Sequence, residues 1–357
     1  MRCLFVLSAD YGEFVTANLL SRGQPFERRF ALPAALAPQA AGLDGASAYA
    51  SVDELRATIE SERPDRVVLG SGYLFAINSL FGPAELAALI AELRLRGIGL
   101  ATTDPWLRLL ALRPEARLTI HSARQGSADA AQTERVRALQ RRLEEILRDV
   151  PHLLAVPAPL AHACYNPAFA RPPRPEGDEW LFVLSQQDLN YLSIDAFFAA
   201  LHSRVKELLR NPANRLRFVA PAPVGRFLAE RFPSESRVEY LGLVGFAAFE
   251  AAVLRARIVA YWNALSASAL YCLYHGVAPV FFGQGHQAKV CEGLYEHAVE
   301  HVYRRQAPAM LALDAPFETD AGALIAGRGL PAWLDRIRAD YSRLPAPATV
   351  LEQLCNR

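Results

Sequence analysis

Short apolar runs alternate with longer amphipathic stretches along most of the chain, as in proteins built from β–α units. An apolar run of five to seven residues predicts a buried strand, and a stretch with one apolar side predicts a helix packed on a sheet. Strands are predicted at residues 2–8, 28–32, 66–70, 97–102, 152–156, 179–185, 215–220, 237–241, 257–261 and 278–282. Helices are predicted at residues 13–22, 52–61, 83–96, 105–112, 134–149, 194–210, 224–231, 246–255, 266–275 and 288–303, with two more after residue 331.

This rhythm stops between residues 157 and 178, where proline and charged side chains replace it. It resumes with EWLFVLS at 179–185, an apolar segment similar to the opening CLFVLS. We therefore predict an α/β protein with two Rossmann-like domains that face each other across a cleft. The predicted parts are an N-terminal domain over 1–165, a linker over 166–178, a C-terminal domain over 179–330 and C-terminal helices over 331–357. Residues 33–50, rich in alanine, proline and glycine, predict a surface loop.

Composition and charge exclude several classes of protein. The 357 residues suit two α/β domains, and a hydrophobic share of 52% supplies two cores. Apolar runs stay shorter than a membrane span, and the opening MRCLFVLSADYG is typical of a core strand rather than of a signal peptide. A net charge of +1 gives no reason to expect nucleic acid or an anionic membrane. We expect a cytoplasmic protein, and the near absence of lysine among its basic residues indicates a GC-rich bacterial genome.

The cysteines and one histidine pair give no sign of a metal. Five scattered cysteines, without a C-x-x-C spacing, predict reduced and buried thiols; they are Cys3, Cys164, Cys272, Cys291 and Cys355. His297 and His301 lie four residues apart on a predicted helix, but no third ligand accompanies them, so an exposed polar face is the better interpretation.

Two polar segments follow the last strands of the C-terminal domain, where α/β proteins bind ligands. In the first, residues 263–268, the hydroxyls of Ser266 and Ser268 and the amides of a helix N-terminus suit a phosphate. The alternative is a serine that only caps the helix. In the second, residues 283–287, two glutamine amides and an imidazole suit sugar hydroxyls, unless this is an ordinary polar loop.

A third segment, residues 240–245, could place backbone groups against the edge of a nucleobase, with Leu243 and Val244 covering its face. A plain turn between strand and helix explains these residues nearly as well. Together the three segments predict a nucleotide-sugar site.

The N-terminal domain supplies candidates for a general base. Asp10 and Glu13 follow the first strand, and Asp104 is a further candidate. Alternatively, Asp10 caps the next helix and Glu13 favours its first turn. An acceptor pocket is expected near Tyr11, Gly12, Tyr73, Phe75 and Trp106, although these aromatic side chains could instead be core.

The opening LFVLSADYGEF and the block YWNALSASALYCLYHGVAPVFFGQGHQ resemble the GT-B class of nucleotide-sugar-dependent glycosyltransferases. The resemblance implies a C-terminal helix that crosses back to the first domain. It implies that Asp10 or Glu13 activates the acceptor. The implied donor-binding residues are Ser266, Ala267 and Ser268 at the phosphates, with Asn263 before them, Gln284, His286 and Gln287 at the sugar, Leu243 and Val244 at the base, and Ser185 and Gln186 along the cleft.

A histidine-rich block and a paired-glutamate pattern found in other members of this class are absent, which favours an inverting mechanism without a metal. We predict a transfer of sugar from a nucleotide diphosphate sugar, the co-substrate, to a small-molecule or natural-product acceptor in specialised metabolism. The alternatives are a nucleotide-sugar epimerase of the same architecture and a non-catalytic binding protein. No other cofactor, nucleic acid or integral membrane segment is predicted, and the oligomeric state stays open.

Overall fold

The computed structural model of the chain describes residues 1–8, 10–40, 44–78, 80–114, 116, 130–169, 179–191, 194–312 and 316–354. Its strands are β1 (Arg2–Val6), β2 (Glu27–Pro33), β3 (Ala46–Tyr49), β4 (Arg66–Leu69), β5 (Gly99–Thr102), β6 (Leu153–Leu154), β7 (His162–Ala163), β8 (Glu179–Val183), β9 (Arg215–Val219), β10 (Val238–Gly242), β11 (Ile258–Tyr261) and β12 (Ala278–Phe281). Its helices are α1 (Tyr11–Ser21), α2 (Val52–Glu62), α3 (Gly72–Ile77), α4 (Pro83–Leu95), α5 (Leu109–Leu112), α6 (Ala130–Leu147), α7 (Gln186–Tyr191), α8 (Ile194–Leu208), α9 (Ala222–Arg231), α10 (Phe246–Arg255), α11 (Ala267–His275), α12 (His286–Val290), α13 (Leu294–His301), α14 (Ala321–Gly327), α15 (Leu330–Tyr341) and α16 (Pro347–Gln353).

Two parallel five-stranded sheets have the same strand order. The first runs β3-β2-β1-β4-β5 and the second β10-β9-β8-β11-β12. In each sheet the order reverses beside the first strand along the chain, so the loops after β1 and β4, and those after β8 and β11, are neighbours at a topological switch point. This arrangement confirms the predicted α/β class with two Rossmann-like sheets.

The chain divides into two compact units. The described part of unit 1 comprises residues 1–116, 130–169 and 340–354, apart from residues 9, 41–43, 79 and 115. The described part of unit 2 comprises residues 179–339, apart from residues 192–193 and 313–315. Residues 170–178, most of the predicted linker, lie outside the described residues.

The C-terminal segment of unit 1 packs into that unit. The Ala348 N–H donates to Gln24 Oε1 at 3.1 Å, and the Tyr165 N–H donates to the Pro345 carbonyl at 3.0 Å. Val350 and Leu351 of α16 are buried. Residues 340–354 are therefore part of the core of unit 1 and not a separate appendage.

Several predicted elements differ from those observed. The predicted surface loop 33–50 contains β3, which pairs in parallel with β2; its residues Ala46, Ser47 and Ala48 are too small to give a strand signal. The predicted helix 288–303 is two helices, α12 and α13, because Gly293 adopts a left-handed backbone (φ 79°). Of the predicted strand 152–156, only the two residues of β6 form a strand. Of the predicted helix 105–112, only the four residues of α5 are helical.

The thiol prediction is confirmed for the four described cysteines, which are buried and form no disulfide bond, whereas Cys355 lies outside the described residues. None of the helices in the described ranges is both long and apolar enough to span a bilayer.

Candidate functional site

The turn between β11 and α11 leads into a helix whose own serine does not cap it. Ser266 holds the N-cap position, yet its side chain makes no capping hydrogen bond. Its hydroxyl instead lies 2.7 Å from that of Ser268. The amides at the start of α11 are thus not satisfied by the Ser266 hydroxyl, which disfavours the simple capping alternative at this position.

Three contacts fix the shape of this turn. Asn263 is buried, and its Oδ1 accepts the Leu265 N–H at 2.9 Å. The hydroxyl of Tyr303, which follows the end of α13, donates to the Ala264 carbonyl. The Asn263 side chain also lies so close to Gly285 that a Cβ there would overlap it, and Gly285 has φ +93°. The loops after β11 and β12 therefore pack directly on one another, and only glycine fits at 285.

The loop after β8 joins this group through Asp188, which lies in a predicted polar segment after a strand but for which no role is predicted. Asp188 is buried at the start of α7, and its Oδ1 lies 3.9 Å from His286 Nδ1. The spacing Ser185-x-x-Asp188 is a helix-capping signature that could have revealed it. Ser185 and Gln186, which were singled out, are exposed beside it.

The remaining donor-side candidates differ in exposure. Gln284 is exposed and Gln287 half-buried in the loop after β12. Leu243 is 62% exposed just after β10, next to the half-buried Val244. β10 lies three strands from β11 in the sheet, a distance of about 14 Å at the usual strand spacing.

In unit 1 the two candidate bases have different surroundings. Asp10 is exposed and caps α1, where its Oδ1 accepts the Gly12 N–H at 2.7 Å. Glu13 is buried, and its Oε2 accepts the Ser8 N–H at 2.6 Å. Burial, and then the nearby charge of Asp10, raise the pKa of Glu13 well above its usual value.

Three of the other candidates of unit 1, Tyr73, Asp104 and Trp106, belong to a buried cluster that follows β4 and β5. The Tyr73 ring lies edge-on to Trp106 at 5.3 Å, and its hydroxyl accepts from Arg108 Nη1 at 3.2 Å. Arg108 Nη1 also lies 3.5 Å from Asp104 Oδ2 and 2.8 Å from His152 Nε2.

Neither Arg108 nor His152 was predicted, because nothing in the local sequence of either residue marks it. Burial raises the pKa of Asp104 to about 6, and burial together with the Arg108 charge lowers the pKa of His152 to about 3. Tyr73 and Phe75 are fully buried, and Phe75 stacks on Phe81 in the core. Tyr11 and Gly12 are half-buried in the first turn of α1.

No candidate metal centre is found in the part of the chain that the structure describes, where no three His, Cys, Asp or Glu side chains are grouped as a metal site needs. The rings of His297 and His301 lie 4.5 Å apart on α13.

Neither a protein-family model nor a curated protein sequence matches the chain. Several solved structures match it over nearly the full length of both chains. The glycosyltransferase SnogD from Streptomyces nogalater is 16% identical, with a TM-score of 0.54, and the match covers 99% of this chain and 98% of SnogD. The glycotransferase of kitacinnamycin is 14% identical, with a TM-score of 0.53 and coverage of 99% and 98%. The spinosyn rhamnosyltransferase SpnG is 13% identical, with a TM-score of 0.51 and full coverage of both chains.

The chain has the fold of the GT-B glycosyltransferases. The resemblance predicted from the sequence is thus confirmed for the fold. Because the identities are low, the similarity concerns architecture alone and assigns no role to individual residues. In this GT-B fold, the loops after β8, β11 and β12 lie at the carboxyl edge of the second sheet, two of them at its topological switch point.

Proposed function

We propose that the protein is a glycosyltransferase that takes a sugar from a nucleotide diphosphate sugar and transfers it to a hydroxyl of a small-molecule acceptor. The observation that carries this proposal is the cluster of three packed loops at the carboxyl edge of the second sheet, beside a helix N-terminus not capped by its own serine. The GT-B fold supports it, as does the position of the cluster at a switch point.

The donor would extend along this edge. In the proposal the first-turn amides of α11, with Ser266, Ala267 and Ser268, hold the diphosphate. Asn263 shapes the turn, and the sugar meets Gln284, His286 and Gln287. The spacing of about 14 Å between the ends of β10 and β11 matches the length of a nucleoside diphosphate, so the base would rest on Leu243 and Val244. Ser185 and Gln186 would line the same edge.

We infer an inverting displacement. A carboxylate takes the proton of the acceptor hydroxyl, the acceptor oxygen bonds to the anomeric carbon, and the bond from that carbon to the diphosphate oxygen breaks. The charge on the departing diphosphate is stabilised by the amides of α11, which needs no metal ion. Asp10 is the better base because it is exposed, whereas Glu13 is buried and its pKa is raised.

In the proposal the acceptor binds in unit 1 near Tyr11 and Gly12, which are half-buried, whereas the predicted Tyr73, Asp104 and Trp106 are buried and would not contact it. SpnG was solved with spinosyn aglycone and with thymidine diphosphate, which supports a natural-product acceptor and makes thymidine diphosphate the first nucleotide to test. We propose that this transfer takes place in the cytoplasm of a bacterium and belongs to specialised metabolism.

The test combines binding and turnover. We expect a nucleotide sugar to raise the thermal midpoint of the protein, and free nucleotide to be released only when an acceptor hydroxyl is supplied. Asp10→Asn should lower transfer at least a hundredfold and change the Kd for the nucleotide sugar less than twofold. Asp320→Asn is the matched control, since Asp320 is also an exposed helix cap, with its Oδ1 2.7 Å from the Ala323 N–H.

Three outcomes would contradict the proposal. If the protein bound no nucleotide sugar, the proposed donor site would be refuted. Conversion of the sugar without nucleotide release would indicate an epimerase, and binding without turnover would indicate a non-catalytic protein. Full transfer by the Asp10→Asn variant would refute the choice of base alone.

A further inference from the structure

Glu13 makes an uncommon contact at the start of α1. Asp10 caps this helix, and a glutamate three residues after a cap ordinarily accepts the N–H of the cap residue itself. Glu85 of α4 does so, since its Oε2 accepts the Gly82 N–H at 2.7 Å. The Glu13 side chain reaches further back, where its Oε2 accepts the N–H of Ser8, just after β1, at 2.6 Å. This buried hydrogen bond ties the first turn of α1 to the end of β1.

The Glu13 carboxyl is also confined by the neighbouring loop. It lies against Gly70, which follows β4, where a Cβ would come within 3.0 Å of Glu13 Oε2. Only 7% of Glu13 is exposed. The strand end beside it is held as well, because the hydroxyl of Tyr49, in β3, donates to the Leu7 carbonyl. The carboxyl therefore lies at the topological switch point of the first sheet and has little freedom to move.

The same turn of backbone sets the position of Asp10. The Glu13 N–H donates to the Asp10 carbonyl at 3.2 Å, and the Gly12 N–H donates to Asp10 Oδ1 at 2.7 Å. Because Oδ1 is engaged in the cap, Oδ2 of the exposed Asp10 is the oxygen suited to accept a proton. Burial raises the pKa of Glu13 well above its usual value, which favours the neutral form of its carboxyl. The buried side chain is thus suited to hold the turn, and the exposed one to exchange a proton.

We propose that Glu13 is a positioning residue, which fixes the start of α1 to the end of β1 and so holds Asp10 where it can take the proton of the acceptor hydroxyl. This inference rests on the proposed function. It gives Glu13 a role other than that of the base. It requires an oxygen on the side chain of residue 13 that accepts the Ser8 N–H, and it requires no charge there.

Two variants of Glu13 separate these requirements. Glu13→Gln keeps an oxygen for the Ser8 N–H and carries no charge. Glu13→Met has a similar volume but offers only a thioether, which is a weak acceptor. Glu85→Met is the matched control, because Glu85 is exposed and accepts the N–H of a helix cap elsewhere in unit 1.

Turnover is measured as the release of free nucleotide from thymidine diphosphate glucose or uridine diphosphate glucose, whichever the wild type uses faster. The acceptors are 4-methylphenol and 4-nitrophenol, two phenols of similar size. The hydroxyl of 4-nitrophenol is largely ionised at about pH 8 and needs no base, whereas that of 4-methylphenol stays protonated and needs one. A variant that misplaces the base should therefore lose activity selectively with 4-methylphenol.

We expect Glu13→Met to lower kcat with 4-methylphenol about tenfold or more, because the unpaired Ser8 N–H shifts the turn. With 4-nitrophenol the loss of kcat should stay below about threefold, and the KM for the nucleotide sugar should change less than about twofold. Glu13→Gln should keep kcat with 4-methylphenol within about threefold of the wild type. Adding Glu13→Met to Asp10→Asn should have little further effect, because Glu13 acts through Asp10.

Equal losses with both phenols, wild-type activity in Glu13→Met, or an additive loss in the double variant would overturn the inference while leaving the proposed function standing. So would a Glu13→Gln variant as impaired as Glu13→Met, since a carboxyl that no amide replaces would itself be the base. If the wild type released nucleotide with neither phenol, the proposed function would fail and the inference with it. Circular dichroism shows whether each variant folds, and if Glu13→Met does not, the comparison of Glu13→Gln with the wild type decides the role of Glu13.

Discussion

Burial shifts the pKa of three side chains in unit 1. It raises the pKa of Glu13 well above its usual value and that of Asp104 to about 6, and it lowers the pKa of His152 to about 3. Asp104 Oδ2 and His152 Nδ1 lie 3.9 Å apart, but a histidine with such a pKa is neutral at pH 7. The charged partner of Asp104 is therefore Arg108, and His152 accepts a hydrogen bond from the same guanidinium.

Glu13 should make the stability of the protein fall as pH rises. Its pKa is higher in the folded chain than the ordinary 4.5, so the folded state binds more protons than the unfolded state above that pH. The free energy of unfolding then declines from about pH 4.5 until the raised pKa is passed. Glu13→Gln removes this decline. The difference in the free energy of unfolding between the variant and the wild type should therefore increase, in favour of the variant, by up to about 1.4 kcal/mol per pH unit.

Urea unfolding at pH 5, 6, 7 and 8 measures this difference. Glu60→Gln, at an exposed position of α2, is the control. Its free energy of unfolding should change with pH in the same way as that of the wild type. If the free energy of unfolding of Glu13→Gln also changes with pH as that of the wild type does, Glu13 is ionised in the folded protein without a loss of stability.

At the scale of elements, the candidate donor site depends on loops that pack on one another. β8, β11 and β12 are adjacent in the second sheet, and this adjacency brings their following loops to one edge. Asp188 with His286 connects the first loop to the third, and Asn263 with Gly285 connects the second to the third. A change at one contact should therefore disturb the whole edge.

Gly285→Ala should show this dependence. The new Cβ would overlap the Asn263 side chain and force a strained backbone at φ +93°, so we expect a loss of about 2 kcal/mol in the free energy of unfolding. Binding of the nucleotide sugar should weaken as well. Gly327→Ala is the matched control, because a Cβ there meets nothing within 4 Å at an ordinary φ. Unchanged stability and binding in Gly285→Ala would contradict the packing described between the two loops.

At the scale of the whole molecule, each unit has its own sheet and its own buried core, and residues 340–354 belong to unit 1. The domain boundaries drawn from the sequence stay predictions. What the structure adds is that the end of the chain, through α16, helps to bury the interior of a unit that starts at residue 1.

Leu351→Ala tests this assignment. Leu351 is 1% exposed, so truncation should cost about 2–5 kcal/mol of unit 1 stability. Hydrogen exchange should show lost protection in β1, β2 and β4, while β8 and β11 keep theirs. Glu352→Ala, exposed on the same helix, should change protection in neither unit. An equal loss of protection from hydrogen exchange in both units would mean that the two cores unfold together.

The amino-acid sequence was enough to predict the class of the fold and to mark the edge of the sheet where a ligand is proposed to bind. Strands buried on both faces must be apolar along their whole length, and small polar residues directly after them mark where backbone groups stay open to a ligand. The strands β8, β11 and β12, and the segment 263–268 that leads into α11, are recognisable for this reason.

Which distant side chains meet depends on the three-dimensional fold alone. Asp188 faces His286, and Arg108 lies between Asp104 and His152, because the strand order places their loops side by side, and no local pattern encodes that order. β3 forms for a similar reason: its small residues have little strand preference of their own, and the edge of β2 supplies the hydrogen bonds.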